Sequence, residues 1–392
     1  MHMSSQFRTA RNIISGEGTA AHIGSSLPLL GNPASVLVVT QEAIVDAGLA
    51  EAVLQALGDT GVRFTIVDDI GVEPSVENLT RVHERTSSTP VEAVIGIGGG
   101  SCLDAAKLIS VMRTNDTSLE DMIGTDKVTK PGVPTCLIPT TAGTGSEVTP
   151  NAIVTLPEKE LKQGVVSSHL LPTVSIVDPE LTYSLPRPLT ASTGMDAFIH
   201  SFESFLSKKA NPVSDTFALR SMRLISRSLV TAYKEPGNAQ ARADMMYGSV
   251  FGGMALTGSG TTAVHALAYP LGGKFKIAHG VANAILLPHV FEFNLEAVGS
   301  RVDEIAEAME IDAGSDWRER GRAILDRIRG WVLELELPDD LSRWGVSRED
   351  LPVLAHAASQ VTRLLVNNPR ELSVSDIEEI YAKLLPIGGG AR

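Results

Sequence analysis

The chain of 392 residues has only two cysteines, Cys102 and Cys136. Two thiols make neither a disulfide framework nor a thiolate metal site, and their scarcity fits a reducing cytoplasm. Basic side chains are also in short supply. Lys and Arg number 33 against 46 Asp and Glu, a formal net charge of −13. Nucleic-acid phosphates and anionic membrane surfaces attract clustered Lys and Arg, so neither partner is expected. Long apolar runs are missing too, and stretches such as Ala284 to Leu287 fall far short of the roughly 18–20 residues that span a bilayer. The opening MHMSSQFRTARNIISGEG shows no apolar core with a small-residue cleavage site behind it, so no export signal is expected. No internal repeat or low-complexity tract interrupts the chain, and the terminal GGGAR reads as a frayed tail. A soluble, cytoplasmic protein is the expectation.

A hydrophobic fraction of 43% with 20% charged residues is enough to bury large cores, and the length suggests two domains. In the first half, short β-branched runs predict buried parallel strands at Ser35 to Thr40, Arg63 to Val67, Val91 to Ile97 and Val133 to Ile138. Helical patterns lie between them at Ile44 to Ala56, Val76 to Glu84 and Leu103 to Met112. This alternation argues for a doubly wound α/β sheet. Further strand-like runs, Ala152 to Thr155, Gly164 to Val166 and Val174 to Val177, are expected at the sheet's edge or in a hairpin beside it. Past Asp178 to Pro188 the pattern turns helical, with Val302 to Glu310, Asp316 to Leu335, Leu351 to Asn367 and Ser375 to Leu385 among the expected helices. A boundary near residue 185 divides the chain into an α/β domain, 1–185, and a helical domain, 186–392.

Gly96-Ile97-Gly98-Gly99-Gly100-Ser101 follows the third expected strand and opens a helix that carries Asp104 and Lys107. Glycine admits close backbone approach, and a helix N-terminus presents unpaired N–H groups, so the loop suits a phosphate or pyrophosphate. It departs from G-x-G-x-x-G, because Ser101 takes the last glycine position. A turn needed only for strand-to-helix packing is the plainer alternative. A second cluster, Pro139 to Thr149 (PTTAGTGSEVT), also follows a strand, and ligands in α/β sheets bind at such carboxyl ends. Its hydroxyls can bond ribose, phosphate and carboxamide groups, unless it is a solvated connecting loop. Both loops are expected to face one crevice.

In the second half, Asp196 and His200 stand at i and i+4 on one helix face. His265 and His279 follow in apolar surroundings where an unpaired imidazole is costly to bury. Imidazole and carboxylate suit Fe²⁺ or Zn²⁺, and core histidines bonded to backbone carbonyls satisfy the same spacing. The remaining histidines, such as His22, His83, His169, His289 and His356, read as structural or surface groups.

Taken together, GIGGGS, IPTTAGTGSEVT, VDPELTYSLPRPLTASTGMDAFIHSFESFLS, VHALAYPLGG, KIAHGVANAILLPHV and the late Asn368-Pro369-Arg370 resemble the iron-containing (group III) alcohol dehydrogenases from about residue 7 to 385. The resemblance implies an N-terminal dinucleotide-binding domain and a C-terminal helical metal-binding and substrate domain, a dehydroquinate synthase-like fold with the active site between them. It implies interconversion of a small alcohol, a hydroxy acid included, and its aldehyde or ketone, with NAD or NADP and with Fe²⁺ or alternatively Zn²⁺. A homo-oligomer, dimer or larger, is implied as well. Carried over by position, Asp196, His200, His265 and His279 match the metal ligands. Gly98, Gly99, Gly100 and Ser101, with Asp104 beside them, match the pyrophosphate loop. Thr140, Thr141, Thr144 and Ser146 match adenine- and nicotinamide-side contacts, Lys162 a ribose contact, and Leu181 a packing residue against the cofactor.

Three positions depart from the family pattern. Gln41 stands where an Asp usually binds the adenosine ribose, which removes a repulsion against a 2′-phosphate. Tyr269 replaces a His near the substrate and is the candidate proton relay, the alternative being to shape the pocket. Ala278 replaces the Pro before the last ligand. Phe198, Phe202, Phe251 and Tyr269 hint at a partly apolar pocket, and Lys274 or Lys276 is a conceivable anchor for a substrate carboxylate. A maleylacetate reductase-like reductase and a dehydroquinate-synthase-like lyase are the alternatives on the same fold.

Overall fold

Short runs rich in β-branched residues form the strands of the first half. In chain order they are β1 (Asn12–Ser15), β2 (Ser35–Val39), β3 (Arg63–Val67), β4 (Ala93–Gly98), β5 (Gly124–Thr125), β6 (Thr135–Pro139), β7 (Asn151–Leu156), β8 (Leu161–Val166) and β9 (Val174–Val177). They come from a computed structural model that describes residues 6–156, 158 and 161–386. The terminal GGGAR lies outside the described residues. Six strands make a parallel sheet in the order β1-β9-β6-β4-β2-β3. Successive residues of β2 serve opposite faces: Leu37 and Val39 join one apolar cluster, Val36 and Val38 the other. With both faces covered the sheet is doubly wound, as the continuous apolar runs require.

Several expectations change in detail. β1 escapes the sequence reading because its four residues alternate between half-buried and exposed rather than forming a buried run. It pairs with β9, so Val174–Val177 lies inside the sheet rather than at its edge, and the glycine loop follows the fourth strand rather than the third. β7 and β8 form an antiparallel hairpin that, with β5, makes a separate three-stranded sheet. The helix expected over 44–56 is two, Glu42–Asp46 and Glu51–Asp59, because Gly48 takes a left-handed φ of 72° between them.

After β9 no strand occurs among the described residues. The long helices Arg187–Leu206, Pro212–Lys234, Ala239–Ser259, Ala263–Phe275, His279–Val298 and Trp317–Glu334 pack around a core of Phe198, Phe202, Phe291 and Trp331. Phe198 meets Trp331 edge-on at 4.9 Å between ring centroids, and Phe202 meets Phe291 likewise at 4.9 Å. Phe198 and Phe202 therefore fill the core instead of lining a pocket, and Phe251 stacks on Phe217. The pattern over 351–367 is broken into Leu351–Ser359 and Thr362–Leu365. The last helix, Val374–Ala382, begins earlier than expected because Ser373 and Asp376 cap it reciprocally. No helix among the described residues is long and apolar enough to cross a membrane.

Candidate active site

β4 delivers its glycines to the N-terminus of the helix Gly100–Met112, with Gly99 at the cap and no side chain capping it. Gly98 has φ 147°, and a Cβ there would fall 2.5 Å from Cys102 Sγ. A Cβ on Gly100 would fall 2.6 Å from Thr144 Cγ2, and one on Gly99 3.4 Å from Thr141 Cγ2. The two loops thus face each other at the carboxyl ends of β4 and β6, across a gap that only glycine leaves open. Asp104 ties them together. Its carboxylate accepts from Ser146 Oγ at 2.5 Å and from the Ile153 N–H at 2.8 Å, and Lys107 Nζ lies 3.5 Å away. Asp104 and Ser146 are thereby spent on each other. The Thr140 hydroxyl is buried with no protein partner, a polar atom open to a ligand.

Around this crevice, Ser101 Oγ donates to Val72 O, and Gln41 Nε2 donates to Ile70 O at 3.1 Å. Leu181 packs half-buried against the same apolar cluster as Ile44. The second loop also meets the helical half through backbone. A Cβ on Gly145 would fall 2.6 Å from Gly253 Cα, and one on Gly143 2.7 Å from Thr193 Cβ.

On that helical side, ligand atoms of Asp196, His265 and His279 all lie within 4.8 Å of one another. Asp196 and His200 come from the helix Arg187–Leu206, His265 from Ala263–Phe275, and His279 is the first residue of His279–Val298. His200 is outside the set of three, but its ring stacks on His265 at 4.7 Å and its Nδ1 meets Gly143 O at 3.2 Å. Two buried residues overlooked in the sequence complete the cluster. Glu203 Oε2 sits 2.6 Å from His265 Nδ1, while its Oε1 accepts from Thr262 Oγ1 at 2.5 Å and the Val264 N–H at 2.6 Å. Asn283 Nδ2 donates to Asp196 Oδ1 at 2.7 Å and approaches His279 Nε2 at 3.1 Å, and its Oδ1 is buried without a partner. Helical spacing offered the signal. Glu203 is seven residues past Asp196, and Asn283 four past His279.

Burial pushes the His279 imidazole down to about 3, and it lowers His200 too, so both keep a free lone pair. Burial also pulls His265 down, but the hydrogen bond and charge of Glu203 outweigh it and raise that ring. Asp196 is disfavoured by burial, yet the three imidazoles and Asn283 hold it below the usual carboxylate range. His200 and His279 held neutral by burial, His265 oriented through Nδ1 by Glu203, and an ionised Asp196 beside them make a donor set that fits a divalent cation.

Lys162 on β8 is paired with Glu73 at 2.5 Å and reaches Gly272, placing its charge near His279. Tyr269 stands 6.1 Å from the His279 ring, centroid to centroid, and the positive charge of Arg363 acts on its hydroxyl. Neither sequence-expected carboxylate anchor is free. Lys274 is bound to Asp350 at 2.6 Å and Lys276 to Gly273 O at 2.8 Å.

A glycine loop on one half and a histidine–carboxylate cluster on the other thus meet where Gly145 touches the helical half. The model for "Iron-containing alcohol dehydrogenase" matches residues 10–179, and that for "Fe-containing alcohol dehydrogenase family, C-terminal" matches residues 190–385. Long-chain-alcohol dehydrogenase 1 of Geobacillus thermodenitrificans is 38% identical over 351 residues, 88% of each chain. The NAD-dependent methanol dehydrogenase of Bacillus methanolicus is 34% identical over 374 residues, covering 94% of this chain and 97% of that one. A crystal structure of 1,3-propanediol oxidoreductase superposes with a TM-score of 0.94 at 33% identity, over 98% of this chain and 100% of that one. The chain belongs to the iron-containing alcohol dehydrogenase family, and it is an oxidoreductase that interconverts an alcohol and its aldehyde.

Proposed function

We propose that this chain reduces a small aldehyde, or oxidises the matching alcohol, with NAD or NADP and one divalent cation, Fe²⁺ or alternatively Zn²⁺. The observation that carries this reading is the convergence of Asp196, His265 and His279 on one point, with His200 stacked beside them. When bound, the nicotinamide supplies the hydride and the cation polarises the carbonyl oxygen. Reduction adds one hydride at carbon and one proton at oxygen. Asp196, His200, His265 and His279 are the proposed ligands, with His200 kept in orientation by Gly143 O, His265 by Glu203, and Asp196 and His279 neighboured by Asn283.

Gly98, Gly99, Gly100 and Ser101 are proposed to receive the pyrophosphate through backbone N–H groups, with Thr140, Thr141 and Thr144 along the remaining cofactor, Lys162 at the ribose and Leu181 packing against it. Asp104 and Ser146 then act as the tie between loops rather than as direct contacts. Gln41 carries no charge to repel a 2′-phosphate, which is why both dinucleotides are included. Tyr269 is proposed as the polar group beside the substrate. Burial raises its hydroxyl more than Arg363 lowers it, so it keeps its proton near neutrality and serves as a donor.

The same reading places the enzyme in the cytoplasm, as a homo-oligomer, with domains divided near residue 185. Cys102 and Cys136 are compatible with the compartment, both being free, buried thiols pushed up to about 12 by burial. The test is a dinucleotide-linked assay over short alcohols, diols, hydroxy acids and their aldehydes after reconstitution with Fe²⁺ or Zn²⁺. Turnover that survives chelation, or a His265→Ala variant that is fully active without metal, overturns it.

A further inference from the structure

The cations beside the cleft are almost all committed. Lys162 is held by Glu73, Lys274 by Asp350, and Lys276 by a backbone carbonyl. Arg363, on the short helix Thr362–Leu365, is different: it is exposed, and among the described residues it makes no ion pair. Its position is nonetheless defined. One terminal nitrogen lies 3.5 Å from where a Cβ on Gly164 of β8 would stand, so the absence of a side chain there leaves the guanidinium uncovered. Its positive charge acts on the Tyr269 hydroxyl, on the helix that carries His265, and on His265 itself. The uncommitted guanidinium therefore stands between the hairpin of the α/β half and the helix that bears a metal ligand.

A guanidinium presents a planar fork of N–H donors that matches a carboxylate or sulfonate with two parallel hydrogen bonds. Tyr269, on whose hydroxyl the Arg363 charge acts, adds a second hydrogen-bond donor.

Resting on the proposed reaction, we infer that Arg363 anchors an anionic group at the far end of the substrate, so that the substrate class is a short aldehyde bearing a carboxylate or sulfonate, and its ω-hydroxy acid. The anion takes no part in the bond changes. With a reduced dinucleotide bound, the carbonyl carbon would gain a hydride from it as the C=O π pair moves to oxygen, and that oxygen would take one proton, leaving the oxidised dinucleotide. Arg363 fixes the distance from the anchored end to the reacting carbon, which is how binding remote from the chemistry raises turnover.

The test compares 3-oxopropanoate and 4-oxobutanoate with propanal and butanal in the metal-reconstituted enzyme, with NADH and with NADPH. The wild-type protein is expected to favour the anionic aldehydes in kcat/KM. Arg363→Gln is expected to lower the ratio of anionic to neutral kcat/KM by roughly 10- to 100-fold, chiefly through KM, and Arg363→Lys to restore part of it. Added salt should erode the wild-type preference and not that of Arg363→Gln. A parallel fall for both substrate types in Arg363→Gln overturns the assignment, because that is what loss of a strut against Tyr269 and β8 produces. Turnover of neutral aldehydes with no preference for the anionic ones overturns it while leaving the proposed reaction standing. No turnover of any aldehyde overturns both.

Discussion

Glu203 Oε2 meets His265 Nδ1 at 2.6 Å in full burial, and the same carboxylate closes the turn before His265 by accepting from Thr262 and Val264. One side chain thereby sets both the ring's orientation and the backbone that carries it. Burial disfavours its charge, but the bonds from His265 and Thr262 outweigh that and keep it ionised. Glu203→Gln should weaken metal binding by about 10- to 100-fold. Chelator competition followed by metal analysis reads the loss, and circular dichroism should show the helices intact. An unchanged metal affinity removes Glu203 from the site.

Gly145 has φ 61° and touches Gly253 backbone to backbone, so the second loop is seated against the helix Ala239–Ser259 without side chains between them. A methyl at 2.6 Å from Gly253 Cα has no flexible neighbour to displace. Gly145→Ala should cost about 1–3 kcal/mol of stability and loosen dinucleotide binding more than metal binding. Thermal melts and fluorescence titration with NADH, set beside metal content, separate the two effects.

Tyr269 keeps its proton near neutrality, which disfavours a role as a general base. Tyr269→Phe should retain turnover within about tenfold, with the pH–rate profile unchanged in shape. A lost limb in that profile would restore the hydroxyl to the proton path.

Glu147 is a buried carboxyl whose Oε1 has no partner, and burial raises it from 4.5 to about 7 despite Lys107 nearby, with Asp104 adding to the rise. Its protonated form is favoured in the folded state. Stability linked to it is therefore fully present below pH 4.5 and lost as pH rises through about 7, a total of about 3 kcal/mol. Glu147→Gln removes that slope. Urea unfolding at pH 5 and pH 8 should show the variant gaining on the wild type at the higher pH, and equal pH dependence in the two proteins contradicts the assignment.

Much of the fold is legible because β2, β4, β6 and β9 are covered on both faces and so read as continuous apolar runs. β1 is not legible, since four alternately covered residues carry no such signal, and its pairing decides that β9 is interior. At the site, Asp196 and His200 share a helix face by spacing. Phe198 and Phe202 are aromatic in the same segment, yet they turn into the core. Lys274 and Lys276 lie near His279 in sequence, and neighbouring groups have already taken both.

What the sequence by itself determined is the chemistry available: the glycine loop after a strand, the hydroxyl-rich second loop, and nitrogen and oxygen ligands in place of thiolates. Tertiary structure alone decided which groups share a point in space. Helical periodicity tells which residues lie on one face, but not how that face is rotated against its neighbours. Packing fixes that rotation, and so brings Glu203 to His265 across 62 residues and Asn283 to Asp196 across 87. It is also what leaves Arg363 uncovered at the Gly164 edge of the cleft.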